Sequence, residues 1–457
     1  MKYLVINSIQ LLGIVGMIIA VSGLFGQPSL AAPPDPDIIP GRFVAILNAG
    51  VAPEDVLQGH GLHPIHVYRY AVNGFAVAAS DGQVNRLRQD PRVASVGLDR
   101  VVRAFDQNIP TGVNRIDSEP GKTGIKTGAS VRVAITDTGI DADHPDLQGN
   151  LDSIYSCSFL GGKVCGPGFP PAWNDGNGHG SHVAGTVAAS NNTQGVVGVA
   201  PGATLVALKA LNDAGSGSFA DITASVDYVT CTHTGADCNN DGISGDLPIQ
   251  VINMSLGARC SVCTDNSTDP TIAAFHTAVA NAVSLGVVVV VAAGNDGANA
   301  ATTVPASFDE VITVSAFSDL NGASGSSSGC LLMPGQGKVC DETIAKFSNY
   351  GADVDIAAPG VRVNSTYKDG GYTDLSGTSM ASPHVAGVVA LYLEARIPPA
   401  TASEVAAVRS ILRANGECTP GGTTNLSGWC SKKWSGEPDR NTYWEPLVDA
   451  ERVATLP

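Results

Sequence analysis

The chain has 457 residues, enough for two or more domains. Hydrophobic residues make up 44%, charged residues only 15%, and glycine is abundant at 53, which fits a compact α/β protein with tight turns and excludes a disordered chain. A net charge of −16 lacks the basic footprint that nucleic-acid binding requires.

Lys2 supplies a positive charge, and residues 11–25 form an apolar core of secretory-signal length. Ser29-Leu30-Ala31-Ala32 then offers a small-residue cleavage site. Residues 1–32 therefore read as a signal peptide, and the product as secreted, extracellular or periplasmic. An uncleaved membrane anchor is disfavoured by the short apolar run and by polar Asn7, Ser8 and Gln10. Pro33-Pro34-Asp35-Pro36-Asp37 reads as a stiff linker.

A small unit follows, roughly residues 38–105. Residues 42–47 read as a strand and 52–58 as a helix. Residues 67–70 and 75–79 flank Asn73-Gly74, a hairpin signal. Residues 83–88 read as a second helix and 93–96 as a last strand. The order β-α-β-β-α-β predicts a ferredoxin-like sandwich. His60, His63 and His66 lie here. Solvated positions are preferred for them over a metal site or a pH switch.

Beyond residue 106, the runs 131–135, 249–253 and 287–293 are short, β-branched and nearly continuously apolar. Such runs suit a parallel sheet covered on both faces. Helical patterns span 182–190, 272–285 and 384–395. The prediction is a doubly wound α/β domain with a mostly parallel sheet. Sites in such sheets lie beyond the strand C-termini, and Asp137 and Asn295 fall just past predicted strands.

All ten cysteines lie beyond position 150: Cys157, Cys165, Cys231, Cys238, Cys260, Cys263, Cys330, Cys340, Cys418 and Cys430. An even number in an exported chain predicts disulfides, with nearest-neighbour pairing as the expectation. Spacing alone does not decide the connectivity. Cys260-Ser261-Val262-Cys263 also has redox and half-zinc-site readings, with a loop staple preferred.

Three segments carry chemistry. Small residues crowd Ser379 in Gly377-Thr378-Ser379-Met380-Ala381-Ser382-Pro383, just before a long apolar helical run. Free N–H groups at such a helix start can bind an oxyanion, although a plain N-cap serine is the ordinary alternative. The other two are Asp137-Thr138-Gly139-Ile140-Asp141 and Gly178-His179-Gly180-Ser181-His182-Val183-Ala184-Gly185. In the order Asp, His, Ser, the three segments closely resemble the subtilisin-like serine proteases. The unit at 38–105, with Asn73-Gly74-Phe75-Ala76 and Asp90-Pro91-Arg92-Val93, resembles the inhibitory propeptide of that family.

The resemblance implies Ser379 as nucleophile, His179 as general base and Asp137 as its orienting partner. It implies Asn295, in Ala292-Ala293-Gly294-Asn295, as an oxyanion donor beside the Ser379 N–H. His144, His182 and His384 are then structural. Two edge segments, Ser255-Leu256-Gly257 and Ala292-Ala293-Gly294, would hold a peptide substrate as an added strand. Gly257 and Gly294 leave room for a large hydrophobic or aromatic P1 side chain. A basic preference would instead draw on Asp175 or Asp296. Residues 106–113 resemble a mature N-terminus but depart from the family pattern at Thr111. Self-cleavage after Phe105 would divide the chain into a propeptide, 33–105, and a peptidase domain, 106–457. The propeptide would act as an intramolecular inhibitor, and the mature enzyme is expected to be a monomer without a stable membrane anchor. A silent scaffold that kept the fold is the competing class, and the intact motifs argue against it.

Calcium is the implied cofactor. The family's strong site maps onto Gln107, Asp146, Ser190, Asn192, Gln194 and Val196, all of which can offer oxygen donors. Independently, Asp237-Cys238-Asn239-Asn240-Asp241-Gly242 matches the first half of an EF-hand loop. Pro248 stands where the bidentate Glu belongs, and Asp246 is the available substitute. Calcium and a disulfide-closed surface turn are both open readings there.

Overall fold

A computed structural model describes residues 38–100, 107–124, 126–168, 170–260, 269–324, 329–333, 337–419, 422–423, 429–435, 441 and 443–456. The leader at 1–32, the linker, Phe105, Asp106 and Cys263 lie outside the described residues. The chain divides into two compact units, Met1–Ala104 and Phe105–Pro457.

The first unit runs β1 (Ile38–Leu47), α1 (Pro53–His60), β2 (Pro64–Tyr68), β3 (Gly74–Ala78), α2 (Asp81–Gln89) and β4 (Val93–Arg100). Its antiparallel sheet has the order β2-β3-β1-β4, which is the expected ferredoxin-like arrangement. Alternation along β1 buries Phe43, Ala45 and Leu47 against Val56, Leu57, Val84 and Leu87 of the two helices. Pro53 opens α1 and Gly61, at φ 61°, closes it. Asn73-Gly74 is not the two-residue turn its composition suggests. Gly74 is already paired with Tyr68 and Ile46, so the connection is residues 69–73. A Cβ at Gly74 would lie 2.2 Å from the Ala45 carbonyl oxygen, so glycine is needed for the close approach of β1. Nor is His60 solvated: its Nε2 bonds Asp90 at 2.8 Å, and Arg92 holds the same carboxylate.

The second unit opens with a short helix, α3 (Thr111–Arg115), and centres on a nine-stranded sheet. Its parallel core comprises β5 (Arg132–Asp137), β6 (Thr204–Lys209), β7 (Val251–Met254), β8 (Val288–Ala292), β9 (Ile312–Ser318) and β10 (Ile356–Pro359). The order is β10-β9-β8-β7-β5-β6, all parallel, with short strands at the edges. The crossing helices are α4 (His179–Ala188), α5 (Phe219–Thr232), α6 (Pro270–Ser284) and α7 (Thr378–Leu393). Helix α4 packs on α7 and α5 on α6. Helices α4 and α7 begin earlier than hydrophobic periodicity suggests, because their first turns carry small and polar residues. Strands β7 and β8 are buried at every position, which explains why they read as unbroken apolar runs. Among the described residues, no helix is long and apolar enough to cross a membrane.

Disulfides join Cys157 to Cys165, Cys231 to Cys238, Cys330 to Cys340, and Cys418 to Cys430, as nearest-neighbour pairing predicts. Each closes a short loop, worth ~2–3 kcal/mol in the chain-entropy account. Cys260 is also disulfide-bonded, which leaves it no thiolate for zinc. Arg115 is buried and forks between Glu342 and Glu417 at 2.7–2.9 Å, tying α3 to two distant loops.

Glu445 is buried at 1% exposure; Ser315 donates to its Oε1 at 2.6 Å, while Oε2 has no hydrogen-bond partner. Burial pushes its carboxyl up to about 7. The unfolded chain ionises this group near 4.5, so stability is lost as pH rises through that window. Glu445→Gln is expected to be more stable than native inhibited enzyme in urea unfolding, increasingly from pH 5 to pH 8, by up to ~3 kcal/mol. A gap that stays flat with pH would contradict this assignment.

Candidate active site

The site forms where strands of the parallel sheet end. Asp137 is the last residue of β5 and is fully buried. Its Oδ1 accepts from the Thr138 N–H at 2.7 Å and contacts His179 Nδ1 at 2.8 Å, with Oδ2 at 3.0 Å from the same nitrogen. His179 opens α4 immediately after Gly178, whose φ of 106° favours glycine. A Cβ on Gly180 would lie 2.1 Å from the Gly139 carbonyl oxygen, so this glycine lets α4 seat against the loop after β5.

Asp175, considered from sequence as a possible subsite acid, is instead an internal brace. Its carboxylate accepts from Thr138 Oγ1, the N–H groups of Asn177, Gly178 and Ser181, and Ser181 Oγ, all at 2.6–2.9 Å. It thereby clamps the first turn of α4 to the residue after Asp137. Burial opposes protonation of His179, but the Asp137 carboxylate and then Asp175 outweigh it and raise its pKa above the usual 6.5.

Ser379 is the second residue of α7 and is half-buried. Pro383 lies four residues later inside the helix and has no N–H for the Ser379 carbonyl. Ser255 Oγ fills that gap at 2.8 Å, while Asn253 Nδ2 and Ser382 Oγ bond Ser255 Oγ at 2.9 and 2.8 Å. Ser379 Oγ donates to the Ser255 carbonyl at 3.2 Å rather than to His179. Such bonds often tighten only when substrate is bound.

Asn295 follows β8. Its Oδ1 accepts from the Thr378 N–H at 2.8 Å and from Thr378 Oγ1 at 3.0 Å. That fixes the amide and leaves Nδ2 as its outward donor. A Cβ built on Gly377 would lie 3.5 Å from Asn295 Nδ2 and 3.6 Å from the Ser379 N. The two donors therefore flank one small space that glycine leaves open. Asn349, which sequence reasoning missed, holds the Asn295 turn. It donates to the Ala293 carbonyl and Thr303, and accepts from the N–H groups of Asp296 and Ala298.

The other histidines are committed elsewhere. His182 Nε2 bonds the Val363 and Thr373 carbonyls, and His384 Nδ1 bonds the Met380 carbonyl. Burial lowers both to about 4, so they stay neutral near pH 7. His144 bridges the Gly371 carbonyl and the Asp146 N–H.

A pocket of about 240 Å³ lies between the two sequence-predicted edge segments, walled by Leu256, Gly257, Ala258, Ala292 and Gly294, with Asn295 and Ser379 on its border. Ser255 and Ala293 are buried beside it. Asp296 borders it too, but pairs with Arg259 at 3.4 Å. A second cleft, of about 420 Å³, runs past His179 to Leu211, Gly217, Phe219, Ile222 and Phe275. Sequence reasoning missed this stretch. The available signal was the small-residue turn Ala214-Gly215-Ser216-Gly217 following β6 at the same sheet end.

The six residues of the first metal candidate converge. Gln107 Nε2 reaches the Ser190 and Val196 carbonyls at 2.7 and 3.1 Å. Asn192 Nδ2 reaches Asp146 Oδ1 at 3.0 Å, and the Gln194 N–H reaches Asn192 Oδ1 at 3.1 Å. A Cβ on Gly195 would lie 2.1 Å from Asp146 Oδ2, so the loop is a cradle that a side chain would fill. In the second candidate, the oxygens mostly serve their own turn. Asp237 accepts from the N–H groups of Asp241 and Gly242, and Asp246 from those of Cys238 and Asn239.

A doubly wound sheet that carries Asp137, His179 and Ser379 on the elements at its strand ends is an architecture found among serine peptidases. Comparison with known proteins narrows the class. Residues 128–429 match the Subtilase family and residues 52–105 match Peptidase inhibitor I9. The chain is 36% identical over 343 residues to Subtilisin NAT of Bacillus subtilis subsp. natto, covering 74% of this chain and 75% of that protein. It is 35% identical over 405 residues to the Extracellular serine proteinase of Thermus sp. (strain Rt41A), covering 81% and 84%. A cold adapted subtilisin-like serine proteinase of known crystal structure superposes with a TM-score of 0.53 at 28% identity, over 75% of this chain and 99% of that one. The chain belongs to the subtilase family: it is a serine endopeptidase carrying an I9 propeptide domain, the organisation of a zymogen.

Ser255→Ala removes the donor that replaces the missing Pro383 N–H. Urea unfolding of inhibited enzyme is expected to show a loss of ~1–3 kcal/mol. An unchanged midpoint would mean that the Ser379 carbonyl finds another donor.

Proposed function

We propose that Asp137, His179 and Ser379 form the catalytic triad of an exported, self-processing endopeptidase. The observation that carries this reading is the two-oxygen contact of buried Asp137 with His179 Nδ1 at 2.8 and 3.0 Å. It keeps the proton on Nδ1 and leaves the Nε2 lone pair for the Ser379 hydroxyl. Ser379 Oγ attacks the scissile carbonyl carbon as His179 Nε2 takes its proton. The carbonyl oxygen becomes an oxyanion and accepts from Asn295 Nδ2 and the Ser379 N–H. His179 then protonates the leaving amine, and an acyl-enzyme remains on Ser379. Water, deprotonated by His179, releases the acid product and returns the proton to Ser379. Asp137 stabilises the imidazolium in both halves.

Peptide substrate lies along Ser255–Gly257 and Ala292–Gly294 as an added strand. The P1 side chain enters the pocket between them. The small side chains and Leu256 along its walls, and the pairing of Asp296 with Arg259, support a hydrophobic or aromatic preference over a basic one. The leader at 1–32 is removed on export, and Ser379 cuts its own chain after Phe105, giving a mature enzyme that starts at Asp106. The mature enzyme is a soluble, unanchored monomer. Calcium is its structural ion, held by side-chain oxygens of Gln107, Asp146 and Asn192 and the carbonyls of Ser190, Gln194 and Val196. An all-oxygen donor set in an irregular loop suits that hard cation, and the amide nitrogens of Gln107 and Asn192 now make contacts that an ion would replace. The loop at Asp237, Asn239, Asp241 and Asp246 carries less support, because its oxygens already satisfy backbone donors.

Ser379→Ala is expected to remain an uncleaved chain, while the native protein is secreted with Asp106 as its N-terminus and is labelled by a sulfonyl fluoride at Ser379. Processing of the purified variant, or labelling elsewhere, would refute the triad. Asn295→Ala is expected to lower kcat by ~10²–10³ with little change in KM. In peptide libraries, hydrophobic P1 residues should dominate, and a basic optimum would reject the pocket assignment. EDTA should lower the melting temperature of inhibited mature enzyme, reflecting a loss of ~3 kcal/mol of stability if calcium was present at a hundredfold its Kd. Asp146→Asn should lose most of that response.

A further inference from the structure

We propose a further divalent-cation site, separate from both loops above, formed by the carboxylates of Asp319, Asp341 and Glu342. Among the described residues, these are the three acidic side chains that each bring a ligand oxygen within 4.8 Å of the others. Calcium binds oxygens at roughly 2.3–2.6 Å, so donors on opposite sides of one ion lie about 5 Å apart. The spacing is therefore compatible with one calcium ion shared by the three carboxylates.

A second observation points to a ligand. Asp319 is only 2% exposed, and its Oδ2 is a buried oxygen with no hydrogen-bond partner. Its Oδ1, by contrast, accepts from the N–H groups of Asn321 and Gly322 at 3.3 and 2.8 Å. One oxygen is thus fixed by its own turn while the other has no partner within hydrogen-bond distance, the Thr111 side chain being its polar neighbour. A buried carboxylate oxygen in that condition costs several kcal/mol unless a cation or donor meets it.

Asp341 is oriented by bonds from the Leu320 N–H and from Asn321 Nδ2. Glu342 shares Arg115 with Glu417. The Arg115 guanidinium is thus already shared by Glu342 and Glu417, and no bond joins it to Asp319 or Asp341 among the contacts described. Each ligating carboxylate retains lone pairs for an ion beyond the bonds it already makes. The ligands are also held in advance. Asp319 directly follows β9, and Asp341 directly follows Cys340, whose disulfide to Cys330 closes the base of a hairpin. Asp319 borders a cleft shared with Pro110 and Thr111, which gives an ion a way in. The ion would bind the loop after β9, the disulfide hairpin and, through Arg115, helix α3 into one unit.

The test uses mature enzyme inactivated with a sulfonyl fluoride and dialysed to equilibrium against calcium chloride of known free concentration. Asp319→Asn keeps the acceptor for Asn321 and Gly322 but removes the charge, and Glu342→Gln serves as an independent variant. Each is expected to bind one calcium fewer than the native enzyme and to show a smaller rise in melting temperature on calcium addition. In EDTA, Asp319→Asn should melt no lower than native, because an uncompensated buried charge has gone. Native stoichiometry in either variant, with an unchanged calcium response, overturns the site. Loss of an ion from Asp146→Asn alone leaves the first calcium site standing and this one refuted.

Discussion

Helix α7 must be buried on all sides, and much of the molecule is arranged around that requirement. Fourteen of its sixteen residues are buried, so it has no polar face to turn toward water. It passes against β7, β8, β9 and β10 and packs on α4. Such a helix admits little bulk at its contacts: a Cβ on Gly387 would lie 2.6 Å from the Val199 side chain. The exposure of Ser379 follows from this placement. The first turn emerges at the end of the sheet where β5, β7 and β8 also finish. The helix start then faces Asn295 and Ser255 because those residues are the continuation of the strands it lies on. Pro383 frees the Ser379 carbonyl for a bond with the sheet, so the backbone of Ser379 is anchored by Ser255 rather than by the helix alone.

Around His179 the same economy operates through charge. Asp137 is buried completely, which would be expensive for an isolated carboxylate. The Thr138 N–H and His179 meet it. Asp175 then holds Thr138 and the first turn of α4 with five bonds of its own. Position and protonation of His179 are therefore set together: the carboxylate that orients the ring also favours the proton on it. Asn349 plays the corresponding part on the opposite side, where it fixes the turn that presents Asn295.

Much of this was legible in the sequence, and the limits have physical causes. Strands β7 and β8 were plain because burial on both faces erases alternation. Asp137, His179, Asn295 and Ser379 stood out because glycine and small residues crowd each, and those residues permit the left-handed turn at Gly178, the close backbone contact at Gly180 and the open space at Gly377. The first turns of α4 and α7 were not legible as helix, since active-site turns carry polar residues that break the hydrophobic period. Asn73-Gly74 misled for a related reason: the glycine serves a neighbouring strand's approach, not a turn, and local composition does not distinguish the two. Asp175 and Asn349 were invisible as braces. A side chain that bonds several backbone groups distant in sequence has no local signature. The Leu211–Ile222 wall of the cleft likewise depends on which strands end together.

The acidic balance of the chain acquires a structural meaning from where the acids lie. Among the described residues, ten Asp and Glu side chains are buried but only two Lys and Arg, namely Arg115 and Lys209. Ion pairing with buried bases therefore cannot be the general solution for the interior. Backbone N–H groups are one substitute, as at Asp175 and Asp246, because several N–H dipoles converging on a carboxylate stabilise its charge without a cation. Protonation is another, as at Glu445, where burial raises the carboxyl far enough for it to be neutral in mild acid. Asp146 and Asp319 draw on these and still sit among further oxygens. Asp146 accepts from an amide, a phenol and the Val196 N–H in a cradle lined with oxygens, and Asp319, which burial raises to about 6, keeps one oxygen unmet. Both lie where loops far apart in sequence converge. A bound cation at each would supply the positive charge that the interior otherwise lacks, at the two points where those loops need fastening.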